Sequence, residues 1–391
     1  MTNTYRISPA DRVSRVTEYY FSRKLKEIAR LNAAGADIIS LGIGGPDLPP
    51  PPAAVDAATD TLRRSDTHSY QMTVGTPQLR DSFARWYKRY YGVGIESPDT
   101  QILPLIGSKE GVFAISMAFL NPGDGVLIPN PGYPTYTSAS RLAGADIHYY
   151  DLDENNDWQP DFDALETSPL EKIKIMWVNY PHMPTGAPAK AETFRRLIDF
   201  GKRHGILIVN DNPYSFILND SPTSIFQIPG AFDTAIELNS LSKCLNMAGW
   251  RVGMLISNPE FVSYVLRVKS NIDSGQPLAI INGAVAALQS GPKWYESLNA
   301  EYSRRKAVAS KIMKALHCDC TREQQGLFLW GRIPEAAPDS ESFADSVLDK
   351  AHVFIVPGTV FGSAGKRYVR LSLCEPVNIL EQALQRIESC L

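Results

Sequence analysis

The 391-residue sequence lacks long apolar runs and clusters of histidine. No uninterrupted apolar segment reaches the roughly 18 residues of a membrane span, so we expect no contact with a membrane. The opening stretch, MTNTYRISPADRVSRV, is polar and charged, and we expect no secretory signal in it. The six histidines are scattered and form no HExxH or Cys/His pattern, which argues against a metal site.

Cysteine and net charge are also scarce. The five cysteines are odd in number, and Cys318 and Cys320 are separated by one residue, which is not a usual metal spacing. We therefore expect reduced thiols in a cytoplasmic protein. A formal net charge of −3 and a pI of about 6.1 give no electrostatic case for binding nucleic acid or an anionic membrane.

Apolar runs of strand length alternate with helical segments from about residue 100 onward. These runs lie at 125–129, 173–180, 206–211, 235–240 and 253–258. Continuous apolar runs are typical of a parallel sheet that is buried on both faces. Because right-handed crossovers place helices on both sides of such a sheet, we expect the α/β class. Active residues should then collect at the carboxyl ends of the strands.

The length is sufficient for two domains. Residues 11–34 have the pattern of one helix that ends at a glycine, and a proline-rich connection follows at 46–52. After about residue 290, a long charged helix leads into strands broken by helical segments. We expect a large domain over 46–290 and a smaller α+β domain over 291–391, with residues 1–45 packed beside the smaller domain.

Four turns follow predicted strands and contain residues with useful chemistry. They are Gly107-Ser108-Lys109, NYPHMPTG (179–186), NDNPY (210–214) and SLSKCLNMAGWRVG (240–253). Each turn alone is weak evidence, because most strand–helix turns bind nothing and a carboxylate at such a place is more often a cap.

Together, the four turns supply the partners of one ligand. Ser108, Ser240 and Arg251 can bind a phosphate through hydroxyls, backbone donors and a guanidinium group. Lys243 is a candidate Schiff-base amine. Asp211 can pair with a protonated ring nitrogen, and Tyr214 can donate to a ring oxygen. Pyridoxal phosphate is a phosphorylated pyridine aldehyde that needs all of these partners.

These motifs also carry a family resemblance. The SLSKCLNMAGWRVG stretch matches S-x-S-K-x(5)-G-x-R-x-G, and GIGGPD, PGYPTY, PTG, DNPY and YVRLSL occur in the matching order. Over about residues 35–375, the chain resembles the class I/II aminotransferases of the fold type I pyridoxal-phosphate enzymes. SNIDSG and GSKEG are most similar to the branch of the alanine, methionine and LL-diaminopimelate aminotransferases. The resemblance implies a mostly parallel sheet sandwiched by helices, and a homodimer with shared active sites.

The resemblance also implies a role for each matching residue toward the cofactor. Lys243 would form the internal aldimine and move the proton between the substrate Cα and the cofactor. Asp211 would keep the pyridine nitrogen protonated, Tyr214 would donate to the phenolic oxygen, and Tyr133 would stack on the ring. The phosphate would be held by Gly107, Ser108, Lys109, Ser240, Ser242 and Arg251, and by Tyr70 of the neighbouring subunit.

Three residues are implied to bind the amino-acid substrate. Arg370 would pair with the α-carboxylate, Gly44 would give it room and a backbone donor, and Asn179 would lie beside it. The sequence departs from the family pattern just before PTG, where asparagine is usual and Met183 stands here. Methionine cannot donate a hydrogen bond, so either Tyr214 serves the phenolic oxygen alone, or Asn179 or His182 reaches it. Gly45 also replaces a frequent glutamate.

Three other functions are compatible with parts of the sequence. A carbon–sulfur β-lyase needs the same fold, cofactor and carbanion as an aminotransferase. A nicotinamide-dependent oxidoreductase is disfavoured, because the glycines at 42–45 run into prolines rather than into a helix. A cofactor-binding regulator would need a DNA-binding module, and no spare length or basic segment is present. The sequence does not identify the substrate side chain.

Overall fold

The structure is a computed structural model that describes residues 7–320 and 323–390. Its strands are β1 (Ile39–Ser40), β2 (Ile102–Leu105), β3 (Gly125–Asn130), β4 (Asp146–Asp151), β5 (Ile173–Val178), β6 (Leu207–Asp211), β7 (Ala235–Ser240), β8 (Gly253–Ile256), β9 (Phe328–Arg332), β10 (Val353–Phe354), β11 (Val356–Pro357) and β12 (Tyr368–Ser372). Its helices are α1 (Asp11–Ser14), α2 (Tyr20–Ala33), α3 (Pro52–Arg63), α4 (Pro77–Tyr91), α5 (Pro98–Gln101), α6 (Ser108–Phe119), α7 (Pro134–Leu142), α8 (Phe162–Glu166), α9 (Ala191–His204), α10 (Leu241–Cys244), α11 (Pro259–Lys269), α12 (Leu278–Ala287), α13 (Pro292–Ala315), α14 (Ser340–Ala351) and α15 (Val377–Cys390).

A seven-stranded sheet forms the centre of the structure, in the order β2-β8-β7-β6-β5-β3-β4. Neighbouring strands among β7, β6, β5, β3 and β4 pair in parallel, which confirms the predicted α/β class. Strand β8 differs from the parallel expectation, because it runs antiparallel to both β7 and β2. The apolar run of β8 could not indicate its direction, since a central strand is buried on both faces in either orientation.

Burial on both faces of this sheet is visible in β5. Ile175 and Trp177 belong to one buried cluster, whereas Met176 and Val178 belong to another. Successive side chains of a strand point to opposite faces, so the two clusters are the apolar layers between the sheet and the helices on either side. This packing fixes the strand ends, where the functional side chains lie.

A second sheet is formed late in the chain. Strand β12 lies between β11 and β9 and is antiparallel to both. The N-terminal segment joins this part of the molecule, because Ile39 and Ser40 of β1 pair in parallel with Val353 and Phe354 of β10. The chain on either side of β1 is thereby held against the late strands.

The single helix predicted over residues 11–34 is wrong, because the structure breaks it. Helix α1 ends at Ser14 and α2 begins at Tyr20, with an extended backbone at Tyr19. The β-branched residues Val16 and Thr17 lie in the break, where they disfavour a helix. The break turns the Tyr19 side chain toward the centre of the molecule.

Over residues 7–320 and 323–390, no helix is long and apolar enough to cross a membrane. Within the same part of the chain, no group of three or more His, Cys, Asp or Glu side chains is arranged to hold a metal ion.

Candidate active site

A cavity of about 300 Å³ lies at the carboxyl edge of the central sheet. The ends of the central strands supply Ser108, Asn179, Asp211, Tyr214, Ser240, Ser242, Lys243 and Arg251, and the loop before α7 supplies Tyr133. The N-terminal segment supplies Tyr19, Phe21 and Gly44, the late strands supply Phe328 and Arg370, and the 3-10 turn after β11 supplies Phe361. Most of the residues predicted for the site are therefore gathered in one cavity at the ends of the central strands.

Lys243 lies in the short helix α10, directly after the carboxyl end of β7. Its Nζ donates a hydrogen bond to the backbone carbonyl of Gly44. Burial lowers the pKa of the Lys243 ammonium, and the nearby guanidinium groups of Arg370 and Arg251 add to this effect. A lowered pKa favours the neutral amine, which is the nucleophilic form of lysine.

Asp211 ends β6 and is buried at the base of the cavity. Its Oδ2 accepts a hydrogen bond of 2.9 Å from the hydroxyl of Tyr136, whereas its Oδ1 has no partner among the described residues. Burial raises the pKa of Asp211 to about 6, and the hydrogen bond from Tyr136 opposes this. A buried carboxylate oxygen without a donor is costly, so this atom is prepared for a cationic donor.

The turn before α6 and the guanidinium of Arg251 form one corner of the cavity. A Cβ at Gly107 would lie 2.2 Å from Nη2 of Arg251, and Gly107 has a φ of +75°. Glycine therefore lets the guanidinium lie directly over the turn. Ser240 adds a hydroxyl, which accepts from the backbone N–H of Ser242 and donates to its Oγ at 2.9 Å. Hydroxyls, a helix start and a guanidinium suit a phosphate.

Arg370 lies on β12 and is only 4% exposed. Its guanidinium carbon lies 3.9 Å from the ring centre of Phe328, 4.6 Å from that of Phe361 and 5.3 Å from that of Phe21. Nη2 donates to the carbonyl of Gly42 at 2.7 Å, but no carboxylate of the described residues pairs with this cation. Burial lowers the pKa of Arg370 to about 10. The aromatic cage thus holds a cation that lacks a counterion.

Hydrogen bonds link the residues around Met183 to their neighbours. Nη1 of Arg370 donates to Sδ of Met183 at 3.3 Å. The amide of Asn179 donates to the backbone carbonyl of Asp211 and accepts from the backbone N–H of Met183. His182 is bonded through Nδ1 to the hydroxyl of Thr185 and does not line the cavity. His182 is therefore not placed to replace the usual asparagine donor, whereas Asn179 lines the cavity and has one of its two amide N–H groups already engaged.

Three of the predicted site residues do not line the cavity: Gly107, Lys109 and Tyr70. Gly107 contacts Arg251, and the ammonium of Lys109 lies 4.3 Å from the ring centre of Tyr19. Tyr70 is 91% exposed and borders a separate groove on the surface.

Gly44 does line the cavity, and a Cβ there would lie 2.2 Å from the ring of Phe328. The glycine is thus required by the close packing of an aromatic ring, which sequence analysis did not anticipate.

Several cavity residues were missed by sequence analysis. Tyr136, the partner of Asp211, stacks on Trp177 with ring centres 4.9 Å apart. A signal for Tyr136 was available, because it lies in the same PGYPTY motif as Tyr133, and the two rings are in contact with centres 5.4 Å apart. No local signal exists for Tyr19, Phe21, Phe328 and Phe361, which reach the cavity from distant parts of the chain.

Comparisons with known proteins identify the family. The model of the family described as aminotransferase class I and II matches residues 36–387. The chain belongs to the class I and II aminotransferases. An LL-diaminopimelate aminotransferase of Dehalococcoides mccartyi is 39% identical over 378 residues, covering 96% of this chain and 97% of the relative. One from Aquifex aeolicus is 37% identical over 382 residues, covering 97% and 98%.

The solved structures agree with this assignment. The structure titled apo-BacF, from Bacillus subtilis, superposes with a TM-score of 0.93 at 35% identity and covers 98% of both chains. The aminotransferase has the fold type I architecture and moves amino groups between amino acids and 2-oxo acids. Nothing in these comparisons favours the carbon–sulfur lyase.

The family depends on pyridoxal phosphate, and the cavity of this aminotransferase fits that group. Asp211 offers an unpartnered buried oxygen for the ring nitrogen. The turn at Gly107, with the guanidinium of Arg251 over it, offers a cradle for the phosphate. Lys243 lines the same cavity as both and offers an amine for the aldehyde.

Proposed function

We propose that this aminotransferase uses pyridoxal 5'-phosphate bound covalently to Lys243. The observation that carries the proposal is the unpartnered Oδ1 of Asp211, buried in the cavity that Lys243 also lines. When bound, pyridoxal phosphate supplies a conjugated pyridinium ring that withdraws electrons from the substrate Cα. Asp211 holds the proton on the ring nitrogen through a charge-assisted hydrogen bond.

The remaining cofactor contacts would come from residues that line the cavity. Tyr133 would stack on the ring and Tyr214 would donate to the phenolic oxygen, while Asn179 already uses one of its two amide N–H groups on the backbone carbonyl of Asp211. The phosphate is held by Ser108, Ser240, Ser242 and Arg251, by the backbone of Gly107 and Lys109, and by the partner subunit's Tyr70. Lys243, as a free neutral amine, would take the proton from the substrate Cα and return it to the cofactor carbon that carries the aldehyde, on the other side of the amino nitrogen.

Arg370 binds the α-carboxylate that all amino and 2-oxo acid substrates share. Its support is the buried guanidinium without a counterion, held by three phenylalanine rings. A bidentate guanidinium–carboxylate pair supplies the missing charge and fixes the orientation of the substrate. LL-diaminopimelate, the amino acid in the names of the relatives, is one amino donor to test among others.

The proposal includes a homodimer in the cytoplasm. Tyr70, Met72 and Ile272 are exposed large apolar side chains, and a second copy of the chain would cover such residues. The five cysteines are free thiols, which supports a reducing compartment.

Borohydride reduction tests the covalent attachment. Reduction of the loaded enzyme followed by peptide mapping should place the pyridoxyl label on Lys243, because its amine is the one in the cavity with a lowered pKa. A Lys243→Ala variant should carry no label and lose nearly all turnover. A label on another lysine in the wild-type chain would remove Lys243 from this role.

Scanning amino donors tests the reaction itself. Each donor is added without an oxo acid, and the visible absorbance of the cofactor reports the first half of the cycle. An aminotransferase should stop after one amino group per site, whereas a β-lyase should release pyruvate continuously from cystathionine. Sustained pyruvate release in the absence of an oxo acid would favour the lyase.

A further inference from the structure

A buried ion triad lies beside the turn that precedes α6. Lys269, at the end of α11, is 1% exposed. Its ammonium donates to Glu110 at 3.0 Å to Oε1 and 3.2 Å to Oε2, and it also donates to Oδ2 of Asp273. Taking three charged groups out of water is expensive, so such an arrangement needs a structural or functional reason. None of the three residues lines the cavity.

Glu110, one carboxylate of the triad, holds the turn at 106–108, which is proposed to bind the phosphate. Oε2 of Glu110 accepts a hydrogen bond of 2.6 Å from the backbone N–H of Ile106, the residue before Gly107. The backbone N–H of Glu110 itself donates to the carbonyl of Gly107 at 3.2 Å. Glu110 is therefore tied to both ends of the turn that carries Ser108, and its position fixes the shape of that turn.

Asp273, the second carboxylate of the triad, holds the turn at 273–275, against which the loop containing Tyr70 and Gln71 packs. Oδ1 of Asp273 accepts from the backbone N–H of Gly275 at 2.7 Å. Gly275 has a φ of +84°, and a Cβ there would lie 2.5 Å from the carbonyl oxygen of Gln71. The residue after Tyr70 thus packs directly against the turn that Asp273 closes.

The sign of the charges explains why a lysine is needed. The carboxylate of Glu110 lies in the first turn of α6, where it competes with an anionic ligand for the positive end of the helix. The ammonium of Lys269, which is shared between Glu110 and Asp273, offsets part of this negative charge and leaves the hydrogen bond to Ile106 in place. The start of the helix then remains attractive to a phosphate dianion.

We propose that Lys269 is a positioning residue for the cofactor phosphate, acting through Glu110 on the turn at 106–108 and through Asp273 on the seat of the Tyr70 loop. The inference rests on the proposed function, because it takes pyridoxal phosphate as the ligand. It adds a residue that touches neither cofactor nor substrate but determines how strongly the phosphate is held.

The test compares pyridoxal phosphate with pyridoxal, which lacks the phosphate. Dissociation constants of both are measured on the apoenzyme from the change in absorbance. In Lys269→Met, pyridoxal phosphate should bind about tenfold more weakly or worse, because a charge-assisted contact is lost, while pyridoxal binding should stay unchanged. The double variant Glu110→Gln/Lys269→Met should recover part of the loss, since the uncompensated carboxylate at the start of α6 is gone and only that of Asp273 remains.

Lys306→Met is the matched control. Lys306 is also a partly buried lysine, but its ammonium donates to the backbone carbonyl of Gln324, away from the phosphate turn. It should leave the ratio of the two dissociation constants at the wild-type value. If Lys269→Met does not fold, Lys269→Gln is measured in the same way, because it keeps a hydrogen-bond donor.

Two outcomes would overturn the proposal. Equal weakening of both ligands would mean that Lys269 only stabilises the fold, and unchanged binding of both would mean that the triad has no influence on the phosphate. Failure of the wild-type apoenzyme to bind pyridoxal phosphate would instead reject the proposed function, so the two failures are distinguishable.

Discussion

Asp211 carries a buried carboxylate that the chain itself satisfies on one side only. Tyr136 donates to Oδ2, whereas Oδ1 has no donor among residues 7–320 and 323–390. The resulting rise of the pKa to about 6 is a cost to the apoenzyme, which burial of an isolated charge makes unavoidable. Binding a protonated ring nitrogen removes this cost, so the strain in the apoenzyme favours the cofactor.

The pH dependence of apoenzyme stability follows from this raised pKa. Between about pH 4 and pH 6, the unfolded chain loses the Asp211 proton while the folded chain keeps it, so stability falls as the pH rises through this window and stays lower above it. Asp211→Asn removes the titration. At pH 8, the variant apoenzyme should be more stable than wild type by about 2–3 kcal/mol, and the difference should vanish near pH 4.

Urea unfolding of both apoenzymes at the two pH values measures this difference. The variant should at the same time hold pyridoxal phosphate poorly, because a neutral amide does not pair with a protonated ring nitrogen. A variant apoenzyme that is less stable than wild type at pH 8 would contradict the assignment of Asp211 as an unpaired buried acid.

Met183 stands where the family usually has an asparagine, and its sulfur accepts from Arg370. In Met183→Asn, the amide oxygen can take over this bond and the amide N–H₂ can donate to the phenolic oxygen of the cofactor. A new donor stabilises negative charge on that oxygen and with it the deprotonated Lys243 nitrogen. A charge-assisted hydrogen bond contributes about 1.5–3 kcal/mol, so the pKa of this nitrogen should fall by about one unit.

Titration of the visible absorbance of the two loaded enzymes gives this pKa directly. The matched control is His182→Ala, which should leave it unchanged because His182 does not line the cavity. An unchanged or raised pKa in Met183→Asn would mean that another group already donates to the phenolic oxygen.

At the scale of elements, the sequence predicts what depends on local pattern. The strands that end at Asp211 and Ser240 are recognisable because they are apolar runs followed by turn residues. The direction of β8 is not recognisable, since it depends on pairing with other strands. The break between α1 and α2 does have a local signal in Val16 and Thr17, but two β-branched residues are too weak a signal to exclude a continuous helix. Apolar periodicity indicates that a segment is buried, but it does not indicate which other elements the segment packs against.

The candidate site divides in the same way. Lys243, Asp211 and Arg251 were predictable because each lies in a dense motif at a strand end. The aromatic cage of Arg370 was not, because Phe21, Phe328 and Phe361 come together only through the pairing of distant strands and the path of the N-terminal segment. Motifs therefore locate the cofactor, whereas the tertiary fold decides what surrounds the substrate.

At the scale of the whole molecule, the N-terminal segment belongs with the late strands. Pairing of β1 with β10 supports our proposal that residues 1–45 pack with a small domain over 291–391, beside a large domain over 46–290. The first six residues of that segment lie outside the described part of the chain. The cavity lies where these parts meet, so a motion of the late strands would move Arg370 relative to Lys243.

In the proposed homodimer, the partner subunit would complete each cavity. Tyr70 is 91% exposed and does not line the cavity of its own chain, so its proposed phosphate contact has to be made across the subunit interface. A heterodimer of one Lys243→Ala subunit and one Tyr70→Ala subunit tests this arrangement. If Tyr70 acts in trans, one site lacks both residues, whereas the other has both.

Differently tagged subunits are co-expressed, and the heterodimer is purified through both tags. It should show about half of the wild-type turnover, because one of its two equivalent sites is intact, while each variant homodimer should be strongly impaired. Two wild-type subunits that carry the same tags are the control for tagging and purification. Turnover no higher than that of the Tyr70→Ala homodimer would place Tyr70 at its own subunit's site, or at neither, because then no site in the heterodimer would combine Lys243 with an effective Tyr70.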